Sequence, residues 1–224
     1  MDRLLASFVD LYDCVQAYGD SAFTTVVYRG VSSVDHKLIP KVGRLQGFGA
    51  PSIEVRDEEF ILELFKQQAL PYLSRTPATE WEWLAIGQHH GLPTRLLDWS
   101  RNPLVACYFA VEKECAQDSV IYALRSGDHL HTEAKPNPFA IDAVERVIPS
   151  HVTPRITAQA GLFTVHHEPR TPFESDKVDR MIIPNGVRRD MKRMLYKFGV
   201  HAATVFPGLD GLSRHIEWIR TNQH

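Results

Sequence analysis

No feature restricts the fold of this chain more than two closely spaced breaks, one at Gly91-Leu92-Pro93 and one at Asn102-Pro103. Residues 79–90 carry helical spacing with Trp83 and Ile86 turned to the core, and Gly91 and Pro93 end that helix. Thr94–Leu97 then reads as a short strand. Asn102-Pro103 sets an N-cap residue before a proline at the first helical position and opens a helix to about Cys115. Helix, strand and helix thus follow one another within a single short stretch.

The flanking segments mix the two periods in the same way. Leu4, Leu5, Phe8, Leu11, Tyr12 and Val15 predict an amphipathic helix over residues 3–17, ended by Gly19. Thr24–Tyr28 is β-branched and aromatic, a short buried strand, and Gly30 follows where the chain turns or approaches something closely. Phe60 with Leu64 and Ile61 with Phe65 place a helix over 54–70, closed by Pro71. Strands are expected at Ser119–Leu124, near 162–166 and 179–183, and at Ala202–Phe206. Residues 126–154 read mostly as loop. Asn185 is placed to cap a helix over 187–198, Gly199 sits at a left-handed C-cap, Pro207–Gly211 makes a turn, and 212–221 form a final helix. With no regular βαβ rhythm, the pattern favours an α+β fold over a doubly wound one. The expectation is a single domain over 1–224 with a mixed, mainly antiparallel sheet flanked by helices: an N-terminal helix in 1–20, a core over 21–211 and a C-terminal helix in 212–224.

Composition narrows the setting. Of 224 residues, 44% are hydrophobic, enough for an ordinary core. The formal charge of −2 provides no global field to draw nucleic acid or anionic membrane. Asp2, Arg3, Asp10 and Asp13 interrupt the start, so no signal peptide or membrane span is expected there. Cys14, Cys107 and Cys115 lack CxxC spacing and fit a reducing, cytoplasmic setting.

Two places concentrate chemistry. Arg29 ends a buried strand directly before Gly30. A guanidinium there needs an anion, either a core aspartate in a structural ion pair or the phosphates of a nucleotide held in a bidentate fork. The run Gln88–Ser100, QHHGLPTRLLDWS, is the densest polar stretch in the chain, and polar groups held between apolar neighbours need partners. His89 and His90, being adjacent, face different sides of a helix and make no two-ligand metal pair. Asp98 is placed to orient a histidine or to pair Arg95 or Arg29, or merely to cap a turn while Trp99 fills the core. His166-His167-Glu168 reads as a solvated rim rather than a metal site. Arg188, Arg189, Lys192 and Arg193 read as a solvated helix face or, less commonly, one that tracks phosphates. No P-loop, GxGxxG, GxSxG or HExxH motif is present.

These residues carry a resemblance. Tyr28-Arg29-Gly30 resembles the aromatic-Arg-Gly signature of the FRG domain. Gln88–Ala110 resembles that family's central block. Arg155-Ile156-x-x-Gln159-x-Gly161-x-Phe163-Thr164 and the segment from Phe198-Gly199 to Leu209-Asp210-Gly211 resemble its later blocks. The order of blocks is also similar to ADP-ribosyltransferases of the Arg-Ser-Glu class. In those proteins an aromatic-Arg-Gly strand binds NAD, a Ser-Thr-Ser strand runs into a helix, and a late strand carries a catalytic glutamate. This likeness implies NAD as substrate and a transferase that acts as a toxin or effector of bacterial defence. Tyr28, Arg29, Gly30, His90, Thr94, Arg95, Trp99, Ser100, Tyr108 and Gln159 are then the ligand-binding residues. Arg29 would clamp the pyrophosphate, and Tyr108 or Trp99 would stack on a base.

The third element departs from that class, because Ala202–Phe206 has no acid. Asp98 is the first substitute and Asp210 the next, with Glu168 and Glu174 also available. Two other readings use the same residues: a non-catalytic nucleotide-sensing or protein-binding module, and a nucleic-acid-processing toxin with His89 or His90 as general base. A nucleotide ligand, a protein or nucleic-acid target, no membrane and no metal complete the expectation.

Overall fold

The computed structural model describes residues 2–19, 25–46, 55–126, 131–148 and 153–221. Among these residues seven strands form one mixed sheet in the order β1-β7-β4-β2-β3-β6-β5. They are β1 (Asp2–Leu4), β2 (Thr25–Val31), β3 (Leu96–Ser100), β4 (Ser119–Ser126), β5 (Glu145–Val147), β6 (Gly161–Val165) and β7 (Val178–Ile183). Only β1 with β7 is parallel; every other pair is antiparallel. The α+β architecture is the expected one.

The helices are α1 (Phe8–Gln16), α2 (Val55–Ala69), α3 (Glu80–His89), α4 (Pro103–Val111), α5 (Pro154–Ala158), α6 (Arg188–Lys197), α7 (Ala202–Val205) and α8 (Leu209–Thr221). Their ends follow local chemistry. Ser7, Thr79, Asn102 and Thr153 each accept a backbone N–H at the start of a helix, and Pro103 and Pro154 occupy first-turn positions where no donor is needed. Gly19, Gly91 and Gly199 take the left-handed backbone that ends α1, α3 and α6.

The sheet is strongly uneven. Seven residue pairs register β2 against β4, from Thr25↔Ser126 to Val31↔Val120. Only one pair, Tyr28↔Ser100, joins β2 to β3. The molecule is therefore two half-sheets, β1-β7-β4-β2 and β3-β6-β5, held by one bridge with a parting beside it. Each half has its own core. Tyr28, Ile121, Ala123, Met181 and Ile183 of the first half pack with Leu11, Cys107, Met191, Leu195 and Val205 from α1, α4, α6 and α7. Leu96, Phe163, Val165 and Val147 of the second pack with Leu62, Trp81 and Leu84 from α2 and α3. Val27, Trp99, Tyr122 and Leu162 share a third cluster with Leu38.

Several expectations shift. Residues 3–17 are not one helix: the backbone N–H of Leu5 donates to Ile182 at 2.8 Å, and that pairing makes Asp2–Leu4 an edge strand despite helical spacing. On α2, Phe60 is 62% exposed and Leu64 38%, whereas Glu58, Leu62 and Ala69 face inward. Glu145–Val147, assigned to loop, is drawn into the sheet by β6. Asn185 lies in a 3-10 turn and α6 begins at Arg188. The helix opened by Asn102 stops at Val111, short of Cys115. Ala202–Phe206 is no strand but the short helix α7. The Thr204 hydroxyl accepts from the His201 N–H at 3.0 Å and donates to the Gly199 carbonyl at 2.9 Å. Helix α8 lies directly on α7, because a Cβ at Gly211 would stand 1.9 Å from the Phe206 carbonyl oxygen. Thr24, the start of the expected second strand, lies outside the described residues. Among the described residues, no helix is long and apolar enough to cross a membrane.

Candidate functional site

The parting beside the Tyr28–Ser100 bridge opens into a cavity of about 220 Å³. Tyr28, Arg29 and Gly30 line it from β2, and Asp98, Trp99 and Ser100 from β3. Gly161, Leu162 and Phe163 complete the sheet wall. Gln88 and His89 close it from the end of α3, Ala106 and Phe109 from α4, and Arg155, Ile156 and Gln159 from α5 and its C-terminal end. The two segments that sequence chemistry singled out thus meet in one place.

Arg29 sits at the parting. Its Nη1 donates to the Asp98 carbonyl at 2.7 Å and lies 3.5 Å from the Asp98 carboxylate. Its side chain is 20% exposed and that of Asp98 is 56% exposed, so the pair borders the cavity rather than filling the core. Burial lowers the affinity of Arg29 for its proton, and Asp98 opposes that shift. The Asp98 carboxylate is further held by Gln88 Nε2 at 2.8 Å. Gln88 is oriented in turn by the Thr94 hydroxyl, which donates to its Oε1 at 2.6 Å. Thr94 is fully buried and acts through Gln88, not at the cavity surface.

His89 supplies a second polar group of a different kind. Burial first, then the charges of Arg155 and His90, push its pKa down to about 4, so it is neutral at physiological pH. Arg155 Nη1 points at the His89 carbonyl from 3.5 Å, and its guanidinium lies over the Phe206 ring at 4.8 Å. Two arginines, one carboxylate and one neutral imidazole therefore face a space walled by Phe109 and Phe163.

Gly30 has a packing duty: a Cβ there would fall 1.7 Å from the Ala106 carbonyl oxygen, so only glycine lets α4 lie this close to β2. The Ser100 hydroxyl donates to the Gln159 carbonyl at 2.6 Å and accepts from the Asn102 N–H at 2.9 Å. It pins α5 and the start of α4 to the cavity floor. Trp99 is buried and donates to the Thr164 hydroxyl, which is also bonded to His166.

Other proposed residues stand elsewhere. Arg95 is the true core arginine. It is 1% exposed and its Nε and Nη2 fork onto Glu58, 4% exposed, at 3.1 and 2.8 Å. Tyr108 packs on Phe206 and lines a different cavity beside Glu112 and Trp218. His90 is exposed beside His89, edge-on at 4.8 Å. Asp210 is exposed in the first turn of α8, and its carbonyl accepts from Arg214 Nε at 3.4 Å. His166 is not part of a solvated rim but buried, and burial pushes its pKa down to about 3. Among the described residues, no group of three or more His, Cys, Asp or Glu is arranged to hold a metal ion.

Arg155, Phe109 and Phe163 line the cavity although the sequence did not single them out, and Gln88 was marked only as the start of the polar run. Arg155 and Phe163 stood in a family-like block and Gln88 opened another, so the signal existed. Nothing local told which side chains of those blocks turn inward.

Neither a curated protein nor a solved structure matches the chain. The family model of the FRG domain matches residues 24–119, which bring Tyr28-Arg29-Gly30, His89 and Asp98 to the cavity, while Arg155 and Gln159 enter from beyond the matched stretch. The similarity to the FRG domain thus extends over residues 24–119.

Proposed function

We propose that the protein binds NAD in this cavity and transfers its ADP-ribose. The observation that supports this most is the parting of the two half-sheets at Arg29, with Asp98 as the neighbouring carboxylate. NAD would supply an activated bond between nicotinamide and ribose C1′, whose electron pair leaves with the nicotinamide nitrogen. Arg29 would hold the pyrophosphate, since a guanidinium fork matches phosphate oxygens. Asp98, fixed by Gln88 and Thr94, would stabilise the positive charge that grows on the ribose as that bond breaks. His89, neutral at physiological pH and a weak base because of its lowered pKa, would take the proton of the water or target side chain as that group bonds to C1′. Phe109 and Phe163 offer the apolar wall against which nicotinamide would lie.

The test is incubation of the purified protein with labelled NAD, alone and with a cell lysate. Nicotinamide release or a labelled target is the expected result. Asp98→Asn should bind NAD with little change in affinity and turn it over at least tenfold more slowly, as for a group acting in the transition state. Asp210→Asn should behave as wild type. A second reading has its own support, because Asp98 is already committed to Arg29 and Gln88, an arrangement suited to a sensor that binds nucleotide without consuming it. Saturable NAD binding with no release and no labelling would establish that reading instead.

A further inference from the structure

Helix α6 borders a groove of about 680 Å³ that shares no lining residue with the NAD cavity: it is lined by α6, the connection after α4, Val111, Asn185 and Trp218. Lys113, Arg188, Arg189, Lys192 and Arg193 line it, and Glu114 is the one carboxylate among the described lining residues. In a chain of formal charge −2 this is marked segregation of positive charge. Two of these cations are held by neutral groups. Arg188 donates to the carbonyls of Ser32, Gln117 and Lys113, and Lys192 to that of Glu112 at 2.8 Å. Carbonyl partners position a cation without cancelling its charge. Arg193 pairs with Asp190 at 3.7 Å across an exposed surface.

The groove runs into a second cavity of about 260 Å³, the two sharing Glu114, Lys192 and Trp218. The rings of Tyr108, Tyr196, His201, His215 and Trp218 line this second space together with the carboxylates of Glu112, Glu114 and Glu217, so the phosphates belong in the groove and only a ring in the cavity. Tyr196 lies 5.2 Å from Trp218, and His201 stacks on His215 at 3.8 Å and 16°. The Nδ1 atoms of both histidines are buried and have no hydrogen-bond partner in the described structure. Buried polar atoms of this kind call for a partner. A line of cations leading to ring faces and unpaired ring nitrogens fits a ligand with phosphates at one end and a flat, hydrogen-bonding ring at the other.

We infer that the α6–α8 face binds single-stranded nucleic acid, with phosphates along the groove at Arg189 and Arg193 and an unpaired base in the cavity against Tyr196 and Trp218. Stacking of this type tolerates any base, and contact with phosphates makes binding salt-dependent. An acidic peptide would satisfy the cations but leave the ring-lined cavity without a use. This inference is independent of the NAD reading, whose residues lie in the other cavity.

The test is fluorescence anisotropy of the full chain with end-labelled oligonucleotides of about ten nucleotides, within the usual span of one small single-strand binding fold. DNA and RNA single strands, a duplex of the same sequence and heparin form the arms. Binding of a single strand should weaken linearly on a log–log plot against salt, at about 0.7 per phosphate contacted. Arg189→Glu with Arg193→Glu, both on the surface of α6, should weaken binding at least tenfold and flatten the slope. Tyr196→Ser should weaken binding severalfold at an unchanged slope, with circular dichroism confirming that each variant is folded. The inference is overturned by absence of binding at low salt, or by single-strand affinity that is indifferent to the arginine pair. It is equally overturned if duplex and heparin bind as well as single strands and Tyr196→Ser has no effect.

Discussion

Arg29 and Arg95 each meet a carboxylate, yet burial gives them different work. Arg95 and Glu58 are sealed between α2 and β3, so removing one charge strands the other in the core. Glu58→Gln should cost about 3–5 kcal/mol in urea unfolding, the usual scale for a broken buried pair. Arg29 borders a cavity, and its partner is more than half exposed. Arg29→Lys should therefore change stability by no more than about 1 kcal/mol. By calorimetry it should weaken NAD binding about tenfold or more, because lysine loses the fork and a charged hydrogen bond contributes about 1.5–3 kcal/mol. A large stability loss with unchanged binding would make Arg29 a structural residue. His166 adds a pH dependence. Its folded pKa, about 3, lies below the ordinary value of 6.5, so the unfolded chain binds more protons between the two. The stability it contributes is whole above about pH 6.5 and is lost as pH falls towards 3. Urea midpoints at pH 7, 5.5 and 4.5 should fall, and His166→Gln should flatten that fall.

At the scale of elements, the contact of α4 with β2 sets the site. Gly30 admits the Ala106 carbonyl, and the same approach brings Phe109 over the parting between β2 and β3. Gly30→Ala would force α4 away from the sheet. It should destabilise the protein by about 3 kcal/mol, the upper range for overpacking, and reduce NAD binding even in molecules that stay folded. Helix α5 rests on α7 and the residue after it: Gln159 Nε2 donates to the Val205 carbonyl at 3.2 Å, and Phe206 carries the Arg155 guanidinium on its ring. Residues expected to form a strand thus hold two lining residues, Arg155 and Gln159, without lining the cavity themselves.

For the molecule as a whole, the single Tyr28–Ser100 bridge is the weak seam of the sheet. Opening there requires far less pairing to be broken than opening between β2 and β4. Native-state hydrogen exchange should show faster exchange for seam amides of β3 than for those shared by β2 and β4, and NAD should slow the seam selectively. Equal protection across both seams would show that the half-sheets open only together.

The helices around Gly91, Pro93, Asn102 and Pro103, the α+β class and the central strands were legible from the sequence, because caps, breaks and periodicity act through near neighbours. The edge strands β1 and β5 were not. Their backbone groups are satisfied by β7 and β6, partners far away in the chain, and the helical spacing of Leu4 and Leu5 yields to that pairing. Neither was the division of labour among the polar residues. Arg29, Arg95 and Asp98 look equally suited to a ligand when read along the chain. Only the packing of α2 against β3 buries Arg95 on Glu58, and only the parting of β2 from β3 leaves Arg29 and Asp98 facing a cavity, since burial and counter-charge are properties of the assembled core.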